Sequence, residues 1–398
     1  MKIGILQLQQ SSGGVDEHTI QLCTNWPQKA DDIILFTNRD NESICLLSSS
    51  LKRLGVSTIL LPGMFKKSNF FVSSLKRSLL LPLTIFNGCR FFFWLKNHNL
   101  DTLLIQSGSY PGSREGLSAI FGAKALGIRT VILVVHHGAV HNNILRLPFE
   151  RFIDFLVQKC VSKIIAVSQA TRQTLISNRG FDPSVKPIRV IHNGLNLYRP
   201  QNKSVSLNFY KQFGICETRL LFGIVGRVEQ YKGHEDLLMA IAYLSKVQQQ
   251  KIALLFIGSV KQAEKNRLLK IMDQLRIETQ VIFTDRLNEP SQILIKQLDL
   301  LFMLTKDFEG FGLTVLEAML NQVPVIATKV GALTEFAPDY AVTYVSPESP
   351  RQVRKAIESF LDSPDGFQKK LKLAEKKSLD YSAIVMAEEY HREVKIWY

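Results

Sequence analysis

Thirteen short apolar runs, most followed by turn residues or a helix start, divide this 398-residue chain into two series. The first series is Lys2–Gln7, Ile33–Thr37, Thr58–Leu61, Thr102–Gln106, Val131–Val135, Lys163–Val167 and Ile188–His192. The second is Leu220–Val225, Ala253–Ile257, Val281–Thr284, Leu300–Leu304, Val325–Ala327 and Val342–Val345. A strand buried on both faces reads as a continuous apolar run, and parallel strands need a helical crossover between them. Two such series in tandem predict two doubly wound α/β domains. The polar stretch 197–206 has linker composition. It sets an N-terminal domain at 1–196 and a second domain at 207–375, and residues 376–398 read as an amphipathic last helix.

The rest of the composition removes several classes. At 46% hydrophobic and 21% charged the chain builds ordinary cores and is not disordered. Its five cysteines, Cys23, Cys45, Cys89, Cys160 and Cys216, are scattered, lack metal-ligand spacing and read as reduced thiols of a cytosolic protein. The opening MKIGILQLQQ reads as a core strand rather than a signal peptide. The longest apolar stretch, Leu79–Leu95, is broken by Pro82, Asn87 and Arg90, so it is not a membrane span.

The net charge of +14 is unevenly placed. No acidic residue occurs from Ser43 to Leu100, where Lys66, Lys67, Lys76, Arg77, Arg90 and Lys96 are interleaved with Phe65, Phe70, Phe71, Phe86, Phe91, Phe92, Phe93 and Trp94. Basic residues among aromatics fit an anionic membrane surface, a packed core under a solvated face, or nucleic acid. The chain carries no zinc, helix-turn-helix or RNA-recognition signature, which makes nucleic acid the weakest of the three.

The candidate chemistry gathers where strands give way to helices. From Leu300 to Thr328 the chain reads as strand, loop, helix and strand, with Gly310-Phe311-Gly312 at the turn and a helix over Leu313–Leu320. Glycine lets the backbone approach a ligand closely, and the first helical turn presents N–H groups to an anion. Glu309 and Glu317 bracket this turn with seven residues between them. GIVGRVEQYKG supplies Arg227 and Lys232, a guanidinium and an ammonium suited to gripping a diphosphate. Gly13-Gly14 opens a helix near Val15, where its amides can face phosphate or sugar. His136 and His137 end the strand VILVV at the edge where ligands of open α/β sheets bind. Successive residues face opposite ways, so one of the two turns toward the ligand; His136 is favoured, His137 follows, and His141 and His192 are weaker. Asn193-Gly194 reads as a left-handed tight turn.

The segment from Glu309 to Glu317 resembles the E-x7-E motif of retaining nucleotide-sugar glycosyltransferases of the GT-B fold, the family-four type. Arg227 and Lys232 resemble that family's G-R-x4-K-G segment, and Gly13-Gly14, Ser168, Asn193-Gly194 and Gly258 resemble further landmarks. Gly331 and Glu335 look like its Gly-Gly-x-x-Glu, with Ala332 in place of the second glycine. Thr305 or Lys306 stands where the family has serine, and Asn321 replaces a glycine after the helix, as a left-handed cap. The resemblance implies two Rossmann-like domains facing across a cleft, with the last helix crossing back to the N-terminal, acceptor-binding domain. It implies donor contacts from Gly13, Gly14, Arg227, Lys232, Gly258, Phe311, Gly312, Leu313 and Glu317, and catalytic roles for Glu309 and His136 or His137. It also implies a UDP- or GDP-linked sugar donor, no cofactor and no metal; the chain contains no Asp-x-Asp. The expected acceptor is a glycan or lipid-linked molecule of envelope polysaccharide or lipopolysaccharide synthesis. The expected location is cytoplasmic, on the inner face of the membrane if the basic aromatic segment binds lipid. A nucleotide-sugar epimerase, a phosphorylase and a non-catalytic sugar-binding subunit are the alternatives.

Overall fold

The computed structural model describes residues 1–9, 13–39, 41–61, 80–112, 114–141, 147–196, 207–363 and 365–395. The chain divides into two compact units, Met1–Asn196 with Ala383–Tyr398, and Leu197–Ser382.

The first unit carries strands β1 (Lys2–Gln7), β2 (Asp32–Asn38), β3 (Val56–Leu61), β4 (Thr102–Ser107), β5 (Thr130–Val135), β6 (Lys163–Ala166) and β7 (Ile188–Val190). They form one parallel sheet in the order β3-β2-β1-β4-β5-β6-β7. Its helices are α1 (Gly14–Thr24), α2 (Glu42–Arg53), α3 (Leu80–Leu95), α4 (Arg114–Ala125), α5 (Leu147–Cys160) and α6 (Gln169–Arg179). Alternation along β1 divides two cores: Ile3 and Ile5 pack on one face of the sheet, Leu6 on the other. The Leu6 face is covered by Phe91 of α3, Ile120 of α4, Ile153 and Val157 of α5 and Leu175 of α6.

The second unit carries β8 (Leu220–Val225), β9 (Ile252–Ile257), β10 (Gln280–Asp285), β11 (Leu300–Met303), β12 (Val325–Thr328) and β13 (Thr343–Val345), parallel in the order β10-β9-β8-β11-β12-β13. Its helices are α7 (Phe209–Phe213), α8 (His234–Ala242), α9 (Lys246–Gln250), α10 (Gln262–Gln274), α11 (Ser291–Ile295), α12 (Leu313–Leu320), α13 (Leu333–Phe336), α14 (Pro350–Asp362) and α15 (Asp365–Ser378). All thirteen apolar runs coincide with strands, with differences only at their ends.

The last helix starts later than the sequence suggests. Ser378 Oγ bonds back to the Glu375 carbonyl and a turn through Tyr381 ends α15, so residues 376–382 remain with the second unit. Helix α16 is Ala383–Lys395. Its Met386, Ala387, Tyr390 and Val394 join the core of the first unit on the Ile3 face. Glu393 is held by Lys163 at 2.6 Å and Arg189 at 3.2 Å, and Ala383 donates to the Leu195 carbonyl.

The basic aromatic segment divides. Residues 62–79, with Phe65, Phe70, Phe71 and four of its basic residues, lie outside the described part. Of the rest, Phe91 is core, Trp94 is half-buried against it, and Phe86 and Phe93 are exposed. No helix among the described residues is long and apolar enough to cross a membrane.

Candidate active site

In the second sheet the chain leaves β8 and β11, which are neighbours, toward opposite sides. The carboxyl ends of strands at such a topological switch point are where open α/β sheets bind ligands. The loop after β8 carries Arg227 and Lys232; the loop after β11 carries Glu309. Backbone joins them where Lys306 donates to the Tyr231 carbonyl at 2.8 Å. Side chains join them where Lys232 Nζ meets Glu309 Oε2 at 2.8 Å. Thr305 Oγ1, fully buried, donates to the same carboxylate oxygen at 3.2 Å. Burial disfavours the Lys232 cation, but the Glu309 carboxylate, Tyr231 and the hydrogen bond outweigh it, so its pKa is raised and the ammonium is held charged.

Arg227 is less constrained. Its side chain is 43% exposed, with Nη1 on Glu229 at 2.9 Å and Nη2 at 3.5 Å from the Tyr231 hydroxyl. Gly258 lies beside this loop, its amide bonded to the Asp285 carbonyl at 3.1 Å, while Val228 donates to Ser259.

The turn after Glu309 depends on two glycines. Gly312 caps α12 with φ +96°, a left-handed value. Gly331 has φ +58°, and a Cβ there would stand 2.0 Å from the Glu309 carbonyl oxygen. Its absence lets Ala332 donate to that carbonyl at 2.9 Å. Ala332 itself has φ −83°, so no glycine is required on backbone grounds where this chain departs from the motif. The Phe311 ring is buried and stacks on Phe336 with centroids 4.7 Å apart, two residues before Leu313 opens α12.

Glu317, in the second turn of α12, is 2% exposed. It accepts a 2.6 Å hydrogen bond from Ser291 Oγ at the start of α11. Ser291 carries little signal in the sequence beyond a helix start after Pro290. The expected left-handed cap at Asn321 is not found. Asn321 has φ −92° and its amide bonds the Glu317 carbonyl at 2.8 Å, while Gln322 takes the positive φ of 56°. Glu335 ends in the short helix α13, where its carbonyl meets the Tyr381 hydroxyl.

In the first unit the residues that stand out in the sequence are held as follows. Helix α1 begins at Gly14, but the Gly13 amide is taken by the Asp16 carboxylate at 2.9 Å. That carboxylate also accepts from Gln7 and from Asn41. Asp16 thus closes a capping box on the first turn of α1. Gly13 has φ −179°, an extended value open to any residue. His136 is buried. It is 7% exposed, with Nε2 2.7 Å from Gln106 Oε1 and its ring edge-on to His18 at 4.5 Å. His18 is fixed by Asn193 at 2.9 Å and packs on Tyr390 of α16. Burial, then the neighbouring His18, pushes the His136 pKa well down; burial brings His18 to about 4. Both rings are neutral at pH 7. His137 is half-buried and His141 exposed. Neither Asn193 nor Gly194 adopts a left-handed φ, because Asn193 is buried as the partner of His18. Ser168 caps α6, accepting from the Thr171 amide. Among the described residues no three His, Cys, Asp or Glu side chains converge as a metal site.

Two parallel-sheet α/β units, each with chemistry-bearing loops at the carboxyl edge of its strands, are the architecture of the GT-B fold. A glycosyltransferase from Rickettsia africae ESF-5 superposes with a TM-score of 0.78 at 18% identity, covering 100% of this chain and 98% of that one. Anabaena HepE, solved with UDP-glucose, gives 0.74 at 17% identity and 99% coverage of each chain. The profile described as Glycosyl transferases group 1 matches residues 207–378, and that of Glycosyltransferase Family 4 matches 12–199. The chain belongs to the group 1 glycosyltransferases of the GT-B type. In sequence it is similar to the O-antigen biosynthesis glycosyltransferase WclY of Escherichia coli, 31% identical over 165 residues. That match takes in 41% of this chain and spans 43% of the WclY relative, less than half its length.

Proposed function

We propose that this protein transfers a sugar, with retention of anomeric configuration and without a metal, from a nucleotide-sugar donor to a glycan or lipid-linked acceptor of envelope polysaccharide or lipopolysaccharide synthesis. The observation that carries the reading is the Lys232–Glu309 pair, 2.8 Å apart, where the two switch-point loops meet. A cation and a carboxylate there provide for both halves of a nucleotide-sugar: the ammonium for the diphosphate, the carboxylate for the sugar. Arg227 adds a half-exposed guanidinium for the charge that gathers on the leaving group. The turn at Phe311, Gly312 and Leu313 lies against the diphosphate, and Gly258, packed on the Gly226 backbone, sets the course of the loop beside the nucleotide. Glu317, oriented by Ser291, accepts hydrogen bonds from the ribose. His136 or His137 touches the donor sugar, as the family resemblance implies; His136 is buried and neutral, and His137 is partly exposed. The HepE complex with UDP-glucose favours UDP among the donors, and the likeness to WclY favours an O-antigen type of product.

The test is release of nucleoside diphosphate from a panel of UDP- and GDP-sugars by the purified protein. A transferase releases it and the transferred sugar keeps its anomeric form. An epimerase changes the donor without release, and a binding subunit does neither. EDTA should leave the rate intact; complete dependence on added Mg²⁺ or Mn²⁺ would contradict the metal-free reading. Ser291→Ala should raise the donor KM about 5-fold with kcat nearly unchanged, since one hydrogen bond worth about 1 kcal/mol orients Glu317 before and during reaction alike. An unchanged KM would detach Ser291 from donor binding.

A further inference from the structure

Helices α3, α4 and α5 form the outer layer on one face of the first sheet. Helix α5 buries Ile153 and Val157 inward and leaves Phe149, Phe152 and Phe155 at 67%, 49% and 51% exposure. Spacing of three sets these rings along one side of the helix. Helix α3 adds Phe86 and Phe93, 64% and 60% exposed. Single exposed phenylalanines are ordinary; five on one layer mark a surface that meets something.

The charges on this layer separate by sign. The acids of α5 serve the interior: Glu150 and Asp154 both bind Arg179, at 2.7 and 2.9 Å. The outward groups are basic: Arg90 on α3 and Lys96 in the turn just after it, Lys124 on α4, Arg151 and Lys159 on α5. Lys96 lies over the Phe93 ring at 5.0 Å and Lys159 over Phe155 at 5.6 Å. Lys186, half-buried, has its pKa lowered by burial and by the nearby Lys124 and Lys159. Among the described residues near this end, Asp182 has an exposed carboxylate, and its amide bonds Gln158 of α5.

We propose that this face docks on an anionic lipid bilayer, with Phe149, Phe152 and Phe155 at the acyl boundary and Lys124, Lys159 and Lys186 among the headgroups. Rings interleaved with cations of one sign fit that surface on both counts. A second copy of the chain fits only one, because it would set like charge against like. The strand-to-helix course fixes a further point: α5 follows the loop after His136 and His137, so Phe149 lies at the sheet edge that carries those histidines. Docking there would bring a lipid-linked acceptor to that edge, a consequence that rests on the proposed transferase activity; docking itself does not.

Co-sedimentation of the full chain, without donor, with phosphatidylcholine vesicles containing or lacking phosphatidylglycerol reads the docking alone. Binding should require phosphatidylglycerol and weaken with salt. The triple substitution Phe149→Ser, Phe152→Ser, Phe155→Ser should lower the partition coefficient about 10²-fold, and Lys124→Glu with Lys159→Glu about 10-fold, at an unchanged unfolding temperature. If the triple variant does not fold, Phe152→Trp in the otherwise native chain should blue-shift its emission with the anionic vesicles. Absence of that shift, binding unaffected by loss of the rings, or no binding to anionic vesicles overturns the proposal. So does self-association in sedimentation velocity that disappears with the rings. Nucleoside diphosphate release, measured separately on soluble donor, should be the same in the triple variant as in the native chain. Loss of release in the native chain would count against the transferase and leave the docking result standing.

Discussion

Lys232→Ala should lower turnover about 10²–10³-fold, roughly 2.7–4 kcal/mol, the effect of losing a charge partner aimed at the transition state. The magnitude follows from what the substitution leaves behind. Glu309 lies 2.8 Å from Lys232 and its carboxylate is 13% exposed. Without the ammonium, an uncompensated negative charge stands where the proposed leaving group accumulates more of the same sign. The variant therefore loses an attraction and gains a repulsion. Arg227→Ala should cost less than Lys232→Ala, because Arg227 is 43% exposed and water takes up part of its role. Groups that act on one another are not additive, so adding Glu309→Gln to Lys232→Ala should cost less than the sum of the two single losses. Single-turnover rates at saturating donor measure this directly. A loss of less than about 3-fold for Lys232→Ala, against the 10²-fold expected of a transition-state charge partner, would make the pair a structural bridge between two loops.

Much of the architecture was legible because its strands are buried on both faces. Leu300–Met303 and Ile252–Ile257 read as unbroken apolar runs, and nothing about their neighbours had to be known. Helix α12 was legible from end to end, Leu313–Leu320, since glycine before it and a polar pair after it mark both ends. What sequence did not disclose is pairing over distance. Arg227, Lys232 and Glu309 were each singled out, but that Lys232 and Glu309 form an ion pair depends on β8 and β11 lying side by side. Asp16 as occupant of the Gly13 amide, and Asn193 as partner of His18, follow only from the fold. The same holds for His136: alternation along a strand says that adjacent residues face opposite ways, but it does not say which way is covered by His18, itself packed on Tyr390 of the terminal helix. The left-handed residue after α12 fell on Gln322 rather than Asn321 because the Asn321 side chain is engaged with the Glu317 carbonyl. The phenylalanines of α5 carry the same lesson in reverse, since a Phe at every third position fits a buried or an exposed stripe equally well until the sheet shows which side it covers.

The two glutamates of the motif should fail in different ways, because the structure holds them differently. Glu309 is an ionised group facing a cation, at the turn where the sugar is proposed to lie. Glu309→Gln removes its charge, keeps its shape and leaves the Lys232 ammonium without its counter-charge. The ground state loses little affinity for an anionic donor, and the released ammonium can even tighten it. The developing positive charge on the sugar loses its stabiliser. Turnover should therefore fall about 10²-fold while the donor KM stays level or drops. Glu317 is buried and oriented by the 2.6 Å bond from Ser291, well inside α12. Glu317→Gln weakens hydrogen bonds to the ribose that exist both before and during the reaction, so the donor KM should rise about 10-fold with kcat changed much less. Steady-state kinetics with one donor, together with nucleotide affinity from thermal shift, separate the two patterns. In the thermal-shift arm, Glu317→Gln should lose most of the stabilisation by nucleoside diphosphate and Glu309→Gln should keep it. Equal and small changes in both parameters from both variants would reduce the motif to a salt-bridged loop and an ordinary helix face.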